Sequence, residues 1–222
     1  MTFHFEYLKN TVELTDENVV VLAIENKKLL RNVICSFEQN NVEEYFVFSK
    51  DFTPIEFSKA GIYISDPLNV DLESKKLSGK ISSYLETAAN EEFPEMLFNL
   101  KRNLVEFGDL LRNFCDFDCD FNFDVETSGI IKLLQFKIGS IDNTPEELLI
   151  MYIVLVSKYL KTEVFVIPFL HTYFDDEELK KIYETLALNH ITLLLLEPVG
   201  TNSFLPREKY YIVDKDLCEI DI

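Results

Sequence analysis

The 222-residue sequence has no tryptophan, six glycines and seven prolines. Gly and Pro at this level exclude a collagen-like repeat or a disordered, low-complexity chain, and no internal repeat is present. Long hydrophobic runs are missing as well. The longest, such as Ile191 to Leu196, fall far short of the roughly 18 residues that a membrane helix needs. The first residues, Met1-Thr2-Phe3-His4-Phe5-Glu6, have neither the basic nor the apolar region of a signal peptide, so a cytoplasmic protein with no membrane partner is expected. Cysteine is sparse, at positions 35, 115, 119 and 218, with no C-x-x-C pair, which predicts free thiols in a reducing compartment. If 115–119 is a strand, Cys115 and Cys119 lie roughly 13 Å apart, too far to share a zinc ion. They read as small core hydrophobes. His4, His171 and His190 share no spacing with them and read as surface or satisfied polar residues.

Positive charge is also scarce: 21 Lys and Arg stand against 39 Asp and Glu, a formal net charge of −18. Taken alone, this argues against nucleic acid, whose phosphates favour Lys and Arg, and for solubility and cation binding. The signature loops of catalysis are absent. The first buried strand runs into Glu25-Asn26-Lys27-Lys28 instead of a Gly-rich phosphate cradle. Ser78-Gly79-Lys80-Ile81 lacks the upstream Gly and the Ser or Thr after Lys that a phosphate loop requires. There is no G-x-S-x-G and no H-E-x-x-H. Enzyme activity therefore has no support in the sequence.

What is present suffices for a sizeable core: 47% apolar residues, with 19 Phe and 10 Tyr. Val19 to Ile24 is a continuous apolar run, as in a strand buried on both faces. Asn26 can cap a following helix whose Leu29, Leu30, Val33, Ile34 and Phe37 share one face. With further strands over Glu44 to Phe48 and Gly61 to Ile64, the first 65 residues read as a β-α-β-type unit. In the middle, Leu77, Ile81, Tyr84, Leu85 and Ala88 form one helical stripe. Pro94 opens a second, with Leu97, Leu100, Leu104, Phe107, Leu111 and Phe114, and the two suggest an antiparallel helical pair. Thr144-Pro145-Glu146-Glu147 and Asp175 with Glu178 are helix starts. Buried strands follow at Val164 to Phe169 and Ile191 to Leu196, and a last one at Tyr210 to Val213. The expectation is an α/β fold: a mainly parallel sheet flanked by helices, formed by 1–65 and 145–222, with a helical leg, 66–144, inserted in it.

Two local patterns carry candidate chemistry. Residues 116–124 alternate strictly. As a strand, this segment puts Asp116, Asp118, Asp120, Asn122 and Asp124 on one side. Hard oxygen donors packed this way suit Ca²⁺. The same pattern also describes an edge strand with a solvated acidic face. Lys132 and Lys137 are charges within the otherwise apolar stretch Ile130 to Ile138. They read either as surface lysines or as a site completed by copies from other subunits.

Several segments, taken in order, resemble the short-form accessory adaptation protein of type II-A CRISPR systems along essentially the whole chain. They are Val19 to Glu25, Ile62-Tyr63-Ile64-Ser65-Asp66, the acidic segment ending Phe123-Asp124, Ile131-Lys132, Phe136-Lys137-Ile138, Leu193 to Pro198 and Tyr211 to Asp216. The resemblance implies a head related to P-loop ATPases but without their phosphate loop, carrying an inserted helical leg. It implies a homotetrameric ring, held by Ca²⁺, that binds double-stranded DNA ends without catalysis. It also implies a role in spacer acquisition beside the CRISPR integrase and effector nuclease. By position, it places Asp118, Asp120 and Asp124, with Glu126 just beyond, at the metal site, and Lys132 and Lys137 at DNA. Asn122 and Val125 depart from the carboxylates expected there, and the loop from Val199 to Lys209 is longer than the family pattern. A degenerate nucleotide-binding, ATPase-like enzyme is the alternative class.

Overall fold

The computed structural model describes residues 1–122, 124–138, 143–198 and 205–220. In chain order the elements begin with β1 (Thr2–Phe5), β2 (Val12–Glu13), β3 (Val19–Ile24), α1 (Lys27–Glu38), β4 (Phe46–Lys50), β5 (Thr53–Ile55), α2 (Phe57–Ala60) and β6 (Gly61–Tyr63). Three helices follow: α3 (Lys75–Glu91), α4 (Pro94–Phe114) and α5 (Thr127–Leu133). The remainder is α6 (Pro145–Leu160), β7 (Val164–Pro168), α7 (Leu170–Tyr173), α8 (Asp176–Leu188), β8 (Thr192–Glu197), β9 (Glu208–Val213) and β10 (Glu219–Ile220). The chain divides into two compact units, Met1–Asp71 with Gly139–Ile222, and Leu72–Ile138. No helix is long and apolar enough to cross a membrane among the described residues.

The larger unit is α/β and is built on a six-stranded sheet of order β10-β9-β3-β8-β7-β6. The five strands from β9 to β6 run parallel, and β10 closes the edge antiparallel to β9, so the sheet is mixed. Every residue of β3 and β7 is buried, as the continuous apolar runs require. Alternation splits each strand between two cores. Val20, Leu22, Ile24, Val164, Val166, Leu194 and Leu196 join one cluster with Leu29, Leu30, Val33 and Phe37 of α1. Their neighbours Val21, Ala23, Phe165, Ile167, Leu193 and Leu195 are buried toward the opposite face. In the same unit α6 and α8 pack on each other and bury Leu149, Ile153, Leu179 and Ile182.

The first cluster is not covered by helices alone. A second, wholly antiparallel sheet of order β2-β1-β4-β5 contributes to it. Its inward residues are aromatic: Phe3 and Phe5 from β1 face Phe46 and Phe48 from β4, and Phe5 stacks on Phe46 at 4.7 Å. Phe37 and Phe57 extend the group. Fully burying each such ring stabilises the fold by about 1.5–3 kcal/mol. Gly61 is required beside it, because a Cβ there would stand 2.1 Å from the Phe57 ring. The first 65 residues are thus not a simple β-α-β unit. The strand after α1 leaves the sheet of β3 and pairs with the N-terminal strand instead.

Helix starts follow the local chemistry. The Asn26 side chain accepts from the N–H groups of Lys28 and Leu29 at 3.1 Å. Thr144 with Glu147, and Asp175 with Glu178, form capping boxes. Such caps each stabilise by about 1 kcal/mol.

In the smaller unit α3 contacts both α4 and α5. The apolar stripe of α4 does not become a helix–helix core. Leu97 and Leu104 are half-buried, Leu100, Phe107, Leu111 and Phe114 are exposed, and Gly108 is the helix's buried residue.

Candidate functional site

The described residues of the acidic segment do not form a strand. α4 ends at Phe114, and the described residues of 115–126 form irregular chain leading to α5. A period-two pattern forms a strand only where a neighbour accepts its hydrogen bonds and its apolar face is covered. Here Phe117 stays 66% exposed. Phe123 lies outside the described residues, as do 139–142 and positions 199–204 of the long loop.

The chain dresses these carboxylates locally. Asp120 Oδ1 accepts from the N–H of Phe121 at 2.9 Å and lies 3.6 Å from Arg112 Nη1. Asn122 Oδ1 accepts from the N–H of Asp124 at 3.0 Å, an Asx-type turn. Glu126 caps α5, and its Oε2 accepts from Ser128 Oγ at 3.1 Å. Asp118 and Asp124 are exposed. The donor chemistry fits a hard cation, but the geometry of one chain does not. Among the described residues, no three His, Cys, Asp or Glu side chains are grouped so as to hold a metal ion. The same irregular path corrects the reading of the cysteines. Cys115 and Cys119 are half-buried, and the neighbouring Cys115 thiol, with burial, raises the pKa of Cys119.

The two lysines are brought together. Lys132 is on α5 and Lys137 lies just beyond it, five positions on, which would put them about 140° apart on a continuous helix. The helix stops instead. Leu134 caps it, and Gln135 takes the left-handed conformation with φ 47°. The chain turns, and Lys132 and Lys137 line one cavity of about 390 Å³ within the smaller unit. The opposite wall is α3, which contributes Ser78 and Ser82, four apart and so on one helix face. The lysine and serine side chains have no hydrogen-bond or ion-pair partner among the described residues. The sequence flags the lysines as charges in an apolar stretch. Nothing in it flags the serines, whose role depends on the packing of α3 against α5.

A second polar cluster, in the larger unit, is closed upon itself. Glu197 Oε1 lies 2.9 Å from His171 Nδ1, and Glu208 Oε1 lies 2.7 Å from His171 Nε2. Glu208 also accepts from Tyr183 Oη and Tyr210 Oη at 2.9 Å, and from the N–H of Leu205. Both carboxylates are almost fully buried. A carboxylate beside each ring nitrogen favours the doubly protonated ring, which donates from both. Burial alone would lower the pKa of His171, but the hydrogen bonds to Glu197 and Glu208 outweigh it and raise it to about 9. Burial likewise opposes ionisation of Glu208, and the hydrogen bonds from His171, Leu205 and Tyr183 reverse this and hold its carboxyl below the usual range. A group so completely satisfied is a structural tie, not a ligand site.

The comparisons with known proteins agree with this architecture. The profile of a family described as CRISPR-associated protein (Cas_Csn2) matches residues 36–217. The CRISPR-associated protein Csn2 of Streptococcus agalactiae is 24% identical over 201 residues, covering 90% of this chain and 89% of that one. A crystal structure of Stu0660 of Streptococcus thermophilus has a TM-score of 0.54 at 11% identity, covering 91% of this chain and 70% of that one, a likeness of fold. With a profile that spans most of the chain, the protein belongs to the CRISPR-associated Csn2 family.

Proposed function

We propose that this protein binds the ends of double-stranded DNA without regard to base sequence. In this reading it acts as a homotetrameric ring that supports spacer acquisition beside the CRISPR integrase and effector nuclease. The observation that carries the reading is the cavity shared by Lys132 and Lys137: two ammonium groups without protein partners among the described residues, in a chain of net charge −18 from a CRISPR-associated family. Symmetry would gather four copies of each lysine around one axis, which answers the overall negative charge. The exposed face of α4 supports assembly. Met96 is 72% exposed, Leu110 68% and Phe114 90%, all on one side of the helix by its periodicity, and apolar side chains exposed together in this way mark an interaction surface. Ca²⁺ is the cation suited to Asp118, Asp120, Asp124 and Glu126. It would gather them by closing the segment or by drawing donors from a second copy.

The head fits a scaffold role in place of catalysis. Only Glu25 and Asn26 separate β3 from α1, and Asn26 is spent as the cap. No length remains for a loop that wraps phosphates, so a P-loop-ATPase-like head without nucleotide turnover is the reading the connection supports.

Binding of random-sequence linear duplexes, followed by anisotropy across a salt series, tests the DNA reading. Affinity independent of sequence and falling steeply with salt is expected, because phosphate contacts release counterions without reading bases. Lys132→Glu with Lys137→Glu should abolish binding, whereas Lys180→Glu on the exposed face of α8 should leave it intact. Binding confined to one sequence, or unmoved by the lysine pair, would contradict the reading.

A further inference from the structure

We propose that the cavity between α3 and α5 is a built pocket for one phosphate group of the nucleic-acid backbone, with Ser78 and Ser82 as neutral donors opposite Lys132 and Lys137. This deepens the DNA-binding reading and rests on it. Three features of the cavity carry the inference. It is of limited size, about 390 Å³, and its walls belong to one compact unit. Its polar lining is dominated by donors. Lys132, Lys137, Ser78, Ser82 and Gln135 all line it, and none of these side chains has a partner among the described residues. Glu73 also lines the wall as an exposed carboxylate, which is outnumbered by the two cations. The floor is apolar: Ile131 is buried and Phe136 and Ile138 are half-buried, so an anion seated on it would exchange part of its water for the surrounding donors. Donors without protein partners around a space that admits a phosphodiester group fit the array of acceptors that such a group presents.

The donors divide into two kinds, and salt separates them. Lysines that neutralise phosphates displace counterions, so each lost lysine lowers the slope of log affinity against log salt by about 1. A serine hydroxyl hydrogen-bonds the same phosphate without neutralising it. Ser78→Ala and Ser82→Ala should therefore each weaken linear-duplex binding roughly tenfold while leaving that slope unchanged. Both serines are half-buried, so melting temperature and oligomer size are recorded for each variant. Ser78→Thr, which keeps the hydroxyl, serves as the conservative control and should bind within a few-fold of the native chain. The decisive measurement is the salt series on the native protein, each alanine variant, Ser78→Thr and the Lys132→Glu, Lys137→Glu pair, at fixed Ca²⁺. Tenfold losses at constant slope for the alanines, beside complete loss for the lysine pair, are the expected result. Alanine variants that bind like the native protein, while the lysine pair does not, would overturn the pocket and leave the DNA reading standing. A native protein that fails to bind duplex at all would overturn both.

Discussion

His171 ties together three elements by holding one carboxylate on each ring nitrogen. Its pKa is raised from 6.5 to about 9, so the folded state keeps a proton that the unfolded chain releases. The stability this contributes is fully present below about pH 6.5 and is lost as pH rises through about 9, on the order of 3 kcal/mol in all. On the acid side Glu208, held below its ordinary value of 4.5, contributes above that value and loses its contribution as pH falls through its folded pKa. Chemical denaturation between pH 6 and 10 should accordingly show a stability decline spread between about pH 6.5 and about 9. His171→Phe should flatten the decline and destabilise the protein at neutral pH by about 3–5 kcal/mol, because two buried carboxylates lose their counter-charge. A flat profile in the native protein would show that the ring is neutral. In the sequence, His171 reads only as a surface or satisfied polar residue. Its partners lie 26 and 37 positions away and depend on the parallel order of the sheet.

Among the elements, those whose signal is local are legible in the sequence. The strand over Val19–Ile24, the Asn26 cap, the helix opening at Pro94 and the Thr144 capping box each depend on neighbours a few residues apart, and each is found. The antiparallel sheet escapes a sequence reading because β1, β2 and β5 are two to four residues long and are defined only by pairing with distant chain. Segment 116–124 fails in the opposite sense: its alternation is strict, but among the described residues no strand pairs with it. Its carboxylates still make a test of Ca²⁺. Removing one carboxylate weakens a shared ion and relieves repulsion without it, and an ion bound only by the folded state stabilises by mass action. Asp120→Asn should therefore shrink the Ca²⁺-induced rise in melting temperature and spare the melting temperature in chelator. An undiminished rise in Asp118→Asn, Asp120→Asn and Asp124→Asn would remove Ca²⁺ from this segment. On α4, Phe107→Glu with Phe114→Glu should leave the monomer folded, since both rings are exposed, and should shift the species seen by light scattering in millimolar Ca²⁺ from tetramer toward monomer. A native protein that is monomeric under the same conditions would remove the assembly.

For the whole molecule the question is how an acidic protein engages phosphate. The sequence marks Lys132 and Lys137, but the cavity that joins them depends on the left-handed turn at Gln135 and on α3 packing against α5, neither of which has a sequence signature. Binding of this kind needs a closed assembly in which few cations are concentrated on one axis and DNA enters from an end. The most direct test compares one plasmid as relaxed closed circles and after single-site linearisation, at equal protein and Ca²⁺, by mobility shift. Threading predicts that the linear form binds and the closed circle binds far more weakly, with Ca²⁺ chelation abolishing the difference. Equal binding of circle and linear DNA would contradict the ring.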